Sequence, residues 1–226
     1  MSPNPLIVAA DRADPRDAES LAERLAGLVA FIKVGLTLFV SAGPGVVERL
    51  RAHVPVFLDL KLHDIPHQVE GAARAAGLLG PGLLTVHALG GIDMVRAAVH
   101  GAAEGADRAG LKPPAILGVT VLSSLGGDGL ASPASLAYEA VAAGAGGVVV
   151  SGEDVAVVRE ALGKGPAIVV PGIRPQGHAG DDQIRVLTPG EAMERGADYI
   201  VVGRPITEAA DPVEATRAVL REVRAE

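Results

Sequence analysis

The sequence predicts a (β/α)8 barrel, and three observations predict it. Eight short runs rich in β-branched residues begin at Leu6, Phe31, Val56, Leu83, Ala115, Gly147, Ala167 and Tyr199. Their start-to-start spacings of 25, 25, 27, 32, 32, 20 and 32 residues leave room for a helix between successive runs. The full chain of 226 residues falls in the range of about 200–250 that one such barrel occupies. Several runs are apolar throughout, as strands covered on both faces of a parallel sheet require. A doubly wound open sheet shows the same alternation. However, LIVAAD is followed by RADPRD rather than by a glycine-rich turn, and no GxxxxGK[ST] loop occurs.

In chain order, LIVAAD ends in Asp11, and ESLAERLAGLVA then places Leu21, Leu25 and Leu28 on one helical face. FIKVG carries Lys33, VFLDLKL carries Asp59 and Lys61, and LLTVHA ends near His87. AILGVTVL leads through Thr120 to Ser123. Ser132 before Pro133 reads as an N-cap with Pro at the first helical position, and Thr188 before Pro189 repeats the pattern. Gly196 reads as the stop of that second helix. AIVVPGI delivers Pro171 and Arg174, and YIVVGR delivers Gly203 and Arg204. The charged stretch from Glu214 to Glu226 reads as the solvated face of a last helix. No Pro/Ser/Gly linker interrupts the repeat, so residues 1–226 are expected to form one domain.

Hydrophobic residues make up 49% of the chain, enough for a sizeable core, but aromatics only 2%, so that core must be aliphatic. Few aromatics and a net charge of −7 weigh against a protein that stacks bases or binds nucleic acid generally. The absence of Cys excludes disulfides, thiolate catalysis and Cys-ligated metal. No apolar run approaches the roughly 18 residues of a membrane span, and MSPNPLIVAAD lacks the pattern of a signal peptide. The expectation is a cytoplasmic protein without a membrane or nucleic-acid partner.

In a barrel of this kind, chemistry belongs at the C-terminal ends of the strands. Asp59 and Lys61, two apart on one strand, project to the same side, while Leu58, Leu60 and Leu62 face the helices. Lys33 is expected at the matching height on the neighbouring strand. Charges facing a barrel interior are costly unless paired or used, so the reading is either a catalytic array or a structural ion pair. Asp64 lies past the strand end, where the loop sets its direction. The second constellation is PGIRPQGHAGDDQIRVLTP with Gly203-Arg204, at the usual phosphate site of the fold. It reads as a phosphate clamp with a lid. His63, His67, His87 and His178 match no zinc spacing, so no metal is expected, and His87 is expected to be hydrogen-bonded at its strand end.

These motifs resemble the orotidine 5′-phosphate decarboxylase family. They are KVG, DLKLHDIP, VHALGG, VTVLSS, PGIRPQG…GDDQIRVLTP and GADYIVVGRPI, and with Asp11 they extend in order to Ile206. The resemblance implies a cofactor-free decarboxylation of orotidylate to UMP and CO₂ in a homodimer with shared sites. It implies Lys61 as proton donor, Asp59 beside the departing carboxylate, and Lys33 and Asp64 completing a Lys-Asp-Lys-Asp array, with Asp64 reaching the partner's site. Asp11 and Lys33 would contact the ribose, Ser123 the base, and Ile65 and Pro171 the pocket. Arg174, Gln183, Gly203 and Arg204 would hold the phosphate and lid, with Gln176 a weaker candidate. Gln68 stands where the family usually has Thr reaching the partner's ribose; it offers the same donor and acceptor types over a longer reach. The alternatives are a Mg²⁺-dependent sibling of the 3-keto-gulonate-phosphate decarboxylase or aldolase type, and an inactive barrel that only binds a nucleotide. The sibling carries an acidic metal ligand where this chain has Lys33.

Overall fold

Strands β1 (Leu6–Ala9), β2 (Phe31–Gly35), β3 (Val56–Leu62), β4 (Leu83–His87), β5 (Ala115–Val119), β6 (Gly147–Val149), β7 (Ala167–Val170) and β8 (Tyr199–Val202) pair in sequence order, and β8 returns to β1. Every pairing is parallel. The sheet is therefore a closed (β/α)8 barrel and not an open one. The structure, a computed structural model, describes residues 4–11, 14–121, 132–175 and 187–224.

Two apolar layers follow from the alternation of side chains along each strand. Ile7, Leu83, Leu117, Val119, Val149, Val169 and Val201 fill the interior with aliphatic bulk, around the aromatic ring of Phe57. At its N-terminal end, Phe31 and Tyr199 meet edge to face with centroids 5.7 Å apart, so two of the chain's few aromatic rings sit at the base of the barrel. The alternate residues, such as Val8, Val34, Leu58, Leu84 and Ile200, face outward and pack under the helices.

The helices are α1 (Pro15–Leu25), α2 (Leu36–Ala42), α3 (Gly45–Arg51), α4 (Pro66–Leu79), α5 (Gly91–Arg108), α6 (Pro133–Ala142), α7 (Val155–Leu162), α8 (Pro189–Glu194), α9 (Arg204–Thr207) and α10 (Pro212–Arg224). Their starts follow capping chemistry. Ser132 accepts from the amide of Ser135. Thr188 and Glu191 form a reciprocal capping box, and Gly196 follows with a φ of 101°. Asp14 caps α1, which buries Ala18, Leu21, Ala22 and Leu25. Helix α10 is solvated on one side only, since Thr216 and Val219 are buried. Helices α4 and α5 touch backbone to backbone. A β-carbon on Gly101 would lie 2.2 Å from the carbonyl of Glu70, and one on Gly105 2.0 Å from that of Arg74. Among the described residues, no helix is long and apolar enough to cross a membrane.

Candidate active site

Strand β3 carries the densest chemistry, and its end is irregular. Leu58 pairs with Leu84 and Leu62 with Val86, so β3 spends four steps where β4 spends two. Within this bulge Lys61 takes a φ of 50°, the only positive value on a non-glycine residue among those described. Such a backbone costs about 1–3 kcal/mol and persists only where its surroundings fix it. Here the amide of Lys61 donates to Thr85 Oγ1 at 2.9 Å, and that hydroxyl donates onward to Asp59 Oδ1 at 2.9 Å.

Four side chains of alternating charge form one connected row. Lys61 Nζ lies 2.8 Å from both carboxylate oxygens of Asp59. Lys33 Nζ is 3.5 Å from Asp59 Oδ2 and 3.0 Å from Asp11 Oδ1. Lys33 and Asp59 are buried, and Asp11 is at the open edge. The row is formally neutral, which is what allows it to stand on an aliphatic barrel core. Gly35 makes room for it, since a β-carbon there would lie 2.5 Å from Asp11 Oδ1 and 3.0 Å from Lys33 Nζ.

Burial pushes the Asp59 carboxyl up, but the charges of Lys33 and Lys61 and the hydrogen bonds from Lys61 and Thr85 outweigh it. The group is held below the usual carboxylate value and stays ionised. Lys33, Asp59 and Lys61 line one side of a cavity that opens at the barrel mouth. Phe57, Val119, Val149 and Val201 supply an apolar lining, joined by Pro171 and Ser151. An ammonium carries three donors; Asp59 occupies two on Lys61, leaving one for a ligand in the cavity. Charge that develops opposite Lys61 would meet a fixed cation in an apolar setting, where it is stabilised most.

The structure brings Asp11, Lys33, Asp59, Lys61 and Pro171 together. One expectation needs correcting. Lys33 is not at the height of Asp59, because the register pairs Lys33 with Phe57 and Gly35 with Asp59. Lys33 reaches Asp59 from one inward-facing position lower, by the length of its side chain. Asp64, Ile65 and Gln68 are exposed around the start of α4. Asp64 accepts from the amide of Ile65 at 2.7 Å and pairs with neither lysine of its own chain among the described contacts. Arg174 is buried, and its amide donates to the carbonyl of Leu187 at 3.0 Å. Gly203 and Arg204 open α9 at the end of β8, with Arg204 exposed. Ser123, Gln176, His178 and Gln183 lie outside the described residues.

His87 departs from expectation too. Its Nδ1 is buried without a hydrogen-bond partner among the described residues, and its ring lies 5.2 Å from that of His63. Burial, then the neighbouring His63 and Lys61, lowers its pKa and favours the neutral ring. The one described cluster with metal-like spacing is Glu70, His100 and Glu104 on α4 and α5. Arg74 donates to both carboxylates there, at 2.8 and 2.5 Å, so a guanidinium already supplies the positive charge. Sequence reasoning passed over Thr85, Ser151 and the spatial need for Gly35. For Thr85 a signal was present: it is the lone hydroxyl in LLTVH, two residues before His87 and in phase with the inward-facing Leu83.

The family model described as Orotidine 5'-phosphate decarboxylase / HUMPS family matches residues 4–219. The chain is 53% identical over 213 residues to an orotidine 5'-phosphate decarboxylase of Anaeromyxobacter dehalogenans, covering 89% of this chain and 90% of the relative. It is 46% identical to that of Gluconobacter oxydans, with 96% of each covered. Among solved structures, the orotidine 5'-phosphate decarboxylase of Lactobacillus acidophilus superposes with a TM-score of 0.84 at 38% identity, covering 98% of this chain and 99% of the other.

Proposed function

The chain belongs to the orotidine 5′-phosphate decarboxylase / HUMPS family, and on that premise we propose how its site carries out the family's carbon–carbon lyase reaction. The reaction is the decarboxylation of orotidine 5′-phosphate to UMP and CO₂, the last step of de novo pyrimidine synthesis. The observation that carries the reading is the row Asp11–Lys33–Asp59–Lys61 along the cavity.

The bond from carbon 6 of the pyrimidine to its carboxylate breaks, its electron pair stays on carbon 6, and CO₂ departs. That pair lies in the ring plane, where the π system cannot spread it. The Lys61 ammonium stabilises this charge and then gives carbon 6 a proton, so the chain's own cation does the work of a cofactor. Asp59 holds Lys61 in place and stands beside the departing carboxylate. Lys33 and Asp11 take the ribose hydroxyls, Ser123 the base, and Pro171 the pocket side. Arg174, Gln183, Gly203 and Arg204 receive the phosphate, where Arg donors and backbone amides suit an anion.

The chain acts as one barrel domain within a two-fold dimer in the cytoplasm. Support for the dimer comes from the rim of the mouth, where Leu36, Val40 and Ile65 are 56%, 79% and 63% exposed, with Leu89 and Ile92 exposed beside them. These residues follow β2, β3 and β4. An apolar rim of this kind suits burial against a second copy, and it would bring Asp64, Ile65 and Gln68 to the partner's site. The Mg²⁺-dependent sibling reading is disfavoured because the Lys33 and Lys61 ammoniums already occupy both oxygens of Asp59. The test is the loss of orotidylate absorbance with purified, chelator-treated protein. Full activity is expected without added metal. Activity that vanishes with EDTA and returns with Mg²⁺ would favour the sibling.

A further inference from the structure

Thr85 is fully buried, does not line the cavity, and has no part in the reaction just described. Its two hydrogen bonds can run in only one sense. The Lys61 amide can only donate, so the hydroxyl accepts there; the ionised Asp59 carboxylate can only accept, so the hydroxyl proton points to Oδ1. One hydroxyl thus ties the backbone of the proposed proton donor to the carboxylate that orients its ammonium. It does so at the bulge where β3 and β4 lose their regular register and Lys61 is forced to a positive φ.

We propose that Thr85 is a positioning residue for the decarboxylation, fixing the strained Lys61 backbone and one oxygen of Asp59 so that the Lys61 ammonium is aimed into the cavity. The inference rests on the function proposed above for Lys61. Without the hydroxyl the Lys61 amide is a buried donor with no acceptor, which a backbone relieves by turning. The same change frees Asp59 Oδ1 to rotate. Both shifts move the ammonium, while Lys33 keeps Asp11 as a partner at 3.0 Å and the phosphate end is not touched. The expected signature is a loss in kcat with little change in KM.

The test compares Thr85→Val, which keeps the shape and removes the hydroxyl, with Thr85→Ser, which keeps the hydroxyl. Thr85→Val should lower kcat about 100-fold, the size of effect that a 1 Å misplacement can produce, with KM within about threefold of wild type. Thr85→Ser should stay within about threefold of wild type in kcat. Should Thr85→Val fail to fold, Thr85→Ala takes its place in the comparison. A second readout, amide hydrogen exchange, does not depend on turnover. In Thr85→Val or Thr85→Ala the Lys61 amide should exchange at least about tenfold faster, while that of Leu58 keeps its protection. An inert wild type would overturn the function proposed for the site, and the exchange comparison would still decide whether Thr85 positions Lys61. The proposal fails if the hydroxyl-free variant keeps kcat within threefold, if Ser is as impaired as Val, or if Lys61 exchange is unchanged.

Discussion

Lys33 reaches Asp59 diagonally across the sheet. The register sets Lys33 opposite Phe57, yet its Nζ comes within 3.5 Å of Asp59 Oδ2 while also holding Asp11 at 3.0 Å. Asp59 therefore stands between two ammoniums, one from its own strand and one from the strand before it. It is the hinge of the row electrostatically as well as spatially.

Its removal should be felt in stability as well as in turnover. Asp59→Asn leaves buried Lys33 and half-buried Lys61 beside an amide, and removing one partner of a buried ionic group costs about 3–5 kcal/mol. The Asp59 carboxyl is held below its ordinary value. The unfolded chain therefore takes up the proton first as pH falls, and the stabilisation from Asp59 is lost as pH drops through the depressed folded value. Wild type should exceed Asp59→Asn by a constant margin at and above roughly pH 5, and that margin should shrink below about pH 4. Denaturant unfolding of both proteins from pH 7 to pH 3 checks this. A margin that does not change down to pH 3 would remove Asp59 as its source.

Lys61→Ala should fold like wild type and lose several powers of ten in kcat, because one side chain supplies both the cation and the proton. Circular dichroism and orotidylate turnover are the measurements. A variant within about tenfold of wild type, equivalent to roughly 1.4 kcal/mol, would end the assignment.

Binding energy gathered at the phosphate can appear in the chemical step at the far end of the substrate. Arg204→Ala should lower kcat/KM by about 100-fold or more, close to 2.7 kcal/mol. Orotidine without its phosphate should be a very poor substrate. Similar kcat/KM for orotidine and orotidylate would contradict a phosphate role for Arg174 and Arg204.

Asp64 is exposed and accepts from the amide of Ile65, with no described ion pair to its own Lys61. In the proposed dimer, mixing inactive Lys61→Ala with inactive Asp64→Ala gives hybrids with one doubly defective site and one intact site. With random reassortment, about a quarter of wild-type activity should return. If a tagged pull-down shows exchange and no activity returns, Asp64 serves its own chain.

The eight strands were legible because each is a β-branched run at a spacing only a helix fills, and the caps at Ser132 and Thr188 because capping is local chemistry. Lys33, Asp59 and Lys61 were legible as inward charges from alternation alone. Their relative heights were not, because strand register is a property of pairing between distant segments. Thr85 was legible as an inward hydroxyl in LLTVH, but its partners were not, for the same reason: they come from a bulge in β3. His87 was misread because a strand-end histidine says nothing about whether an acceptor lies across from it.

Helix α5 contributes no side chain to the row of charges, yet its glycines decide where α4 can lie. With Gly101 and Gly105 pressed against the carbonyls of Glu70 and Arg74, no side-chain layer separates the two helices at these points. The start of α4 and the turn before it carry Asp64, Ile65 and Gln68. In the proposed dimer, adding a single methyl group at Gly101 or Gly105 should therefore act at a distance, displacing these three residues relative to the other subunit while the row from Asp11 to Lys61 stays where it is. On that proposal, mutational damage to the subunit-facing residues can originate on the outer shell of the barrel, in positions that an inspection of the cavity would pass as irrelevant.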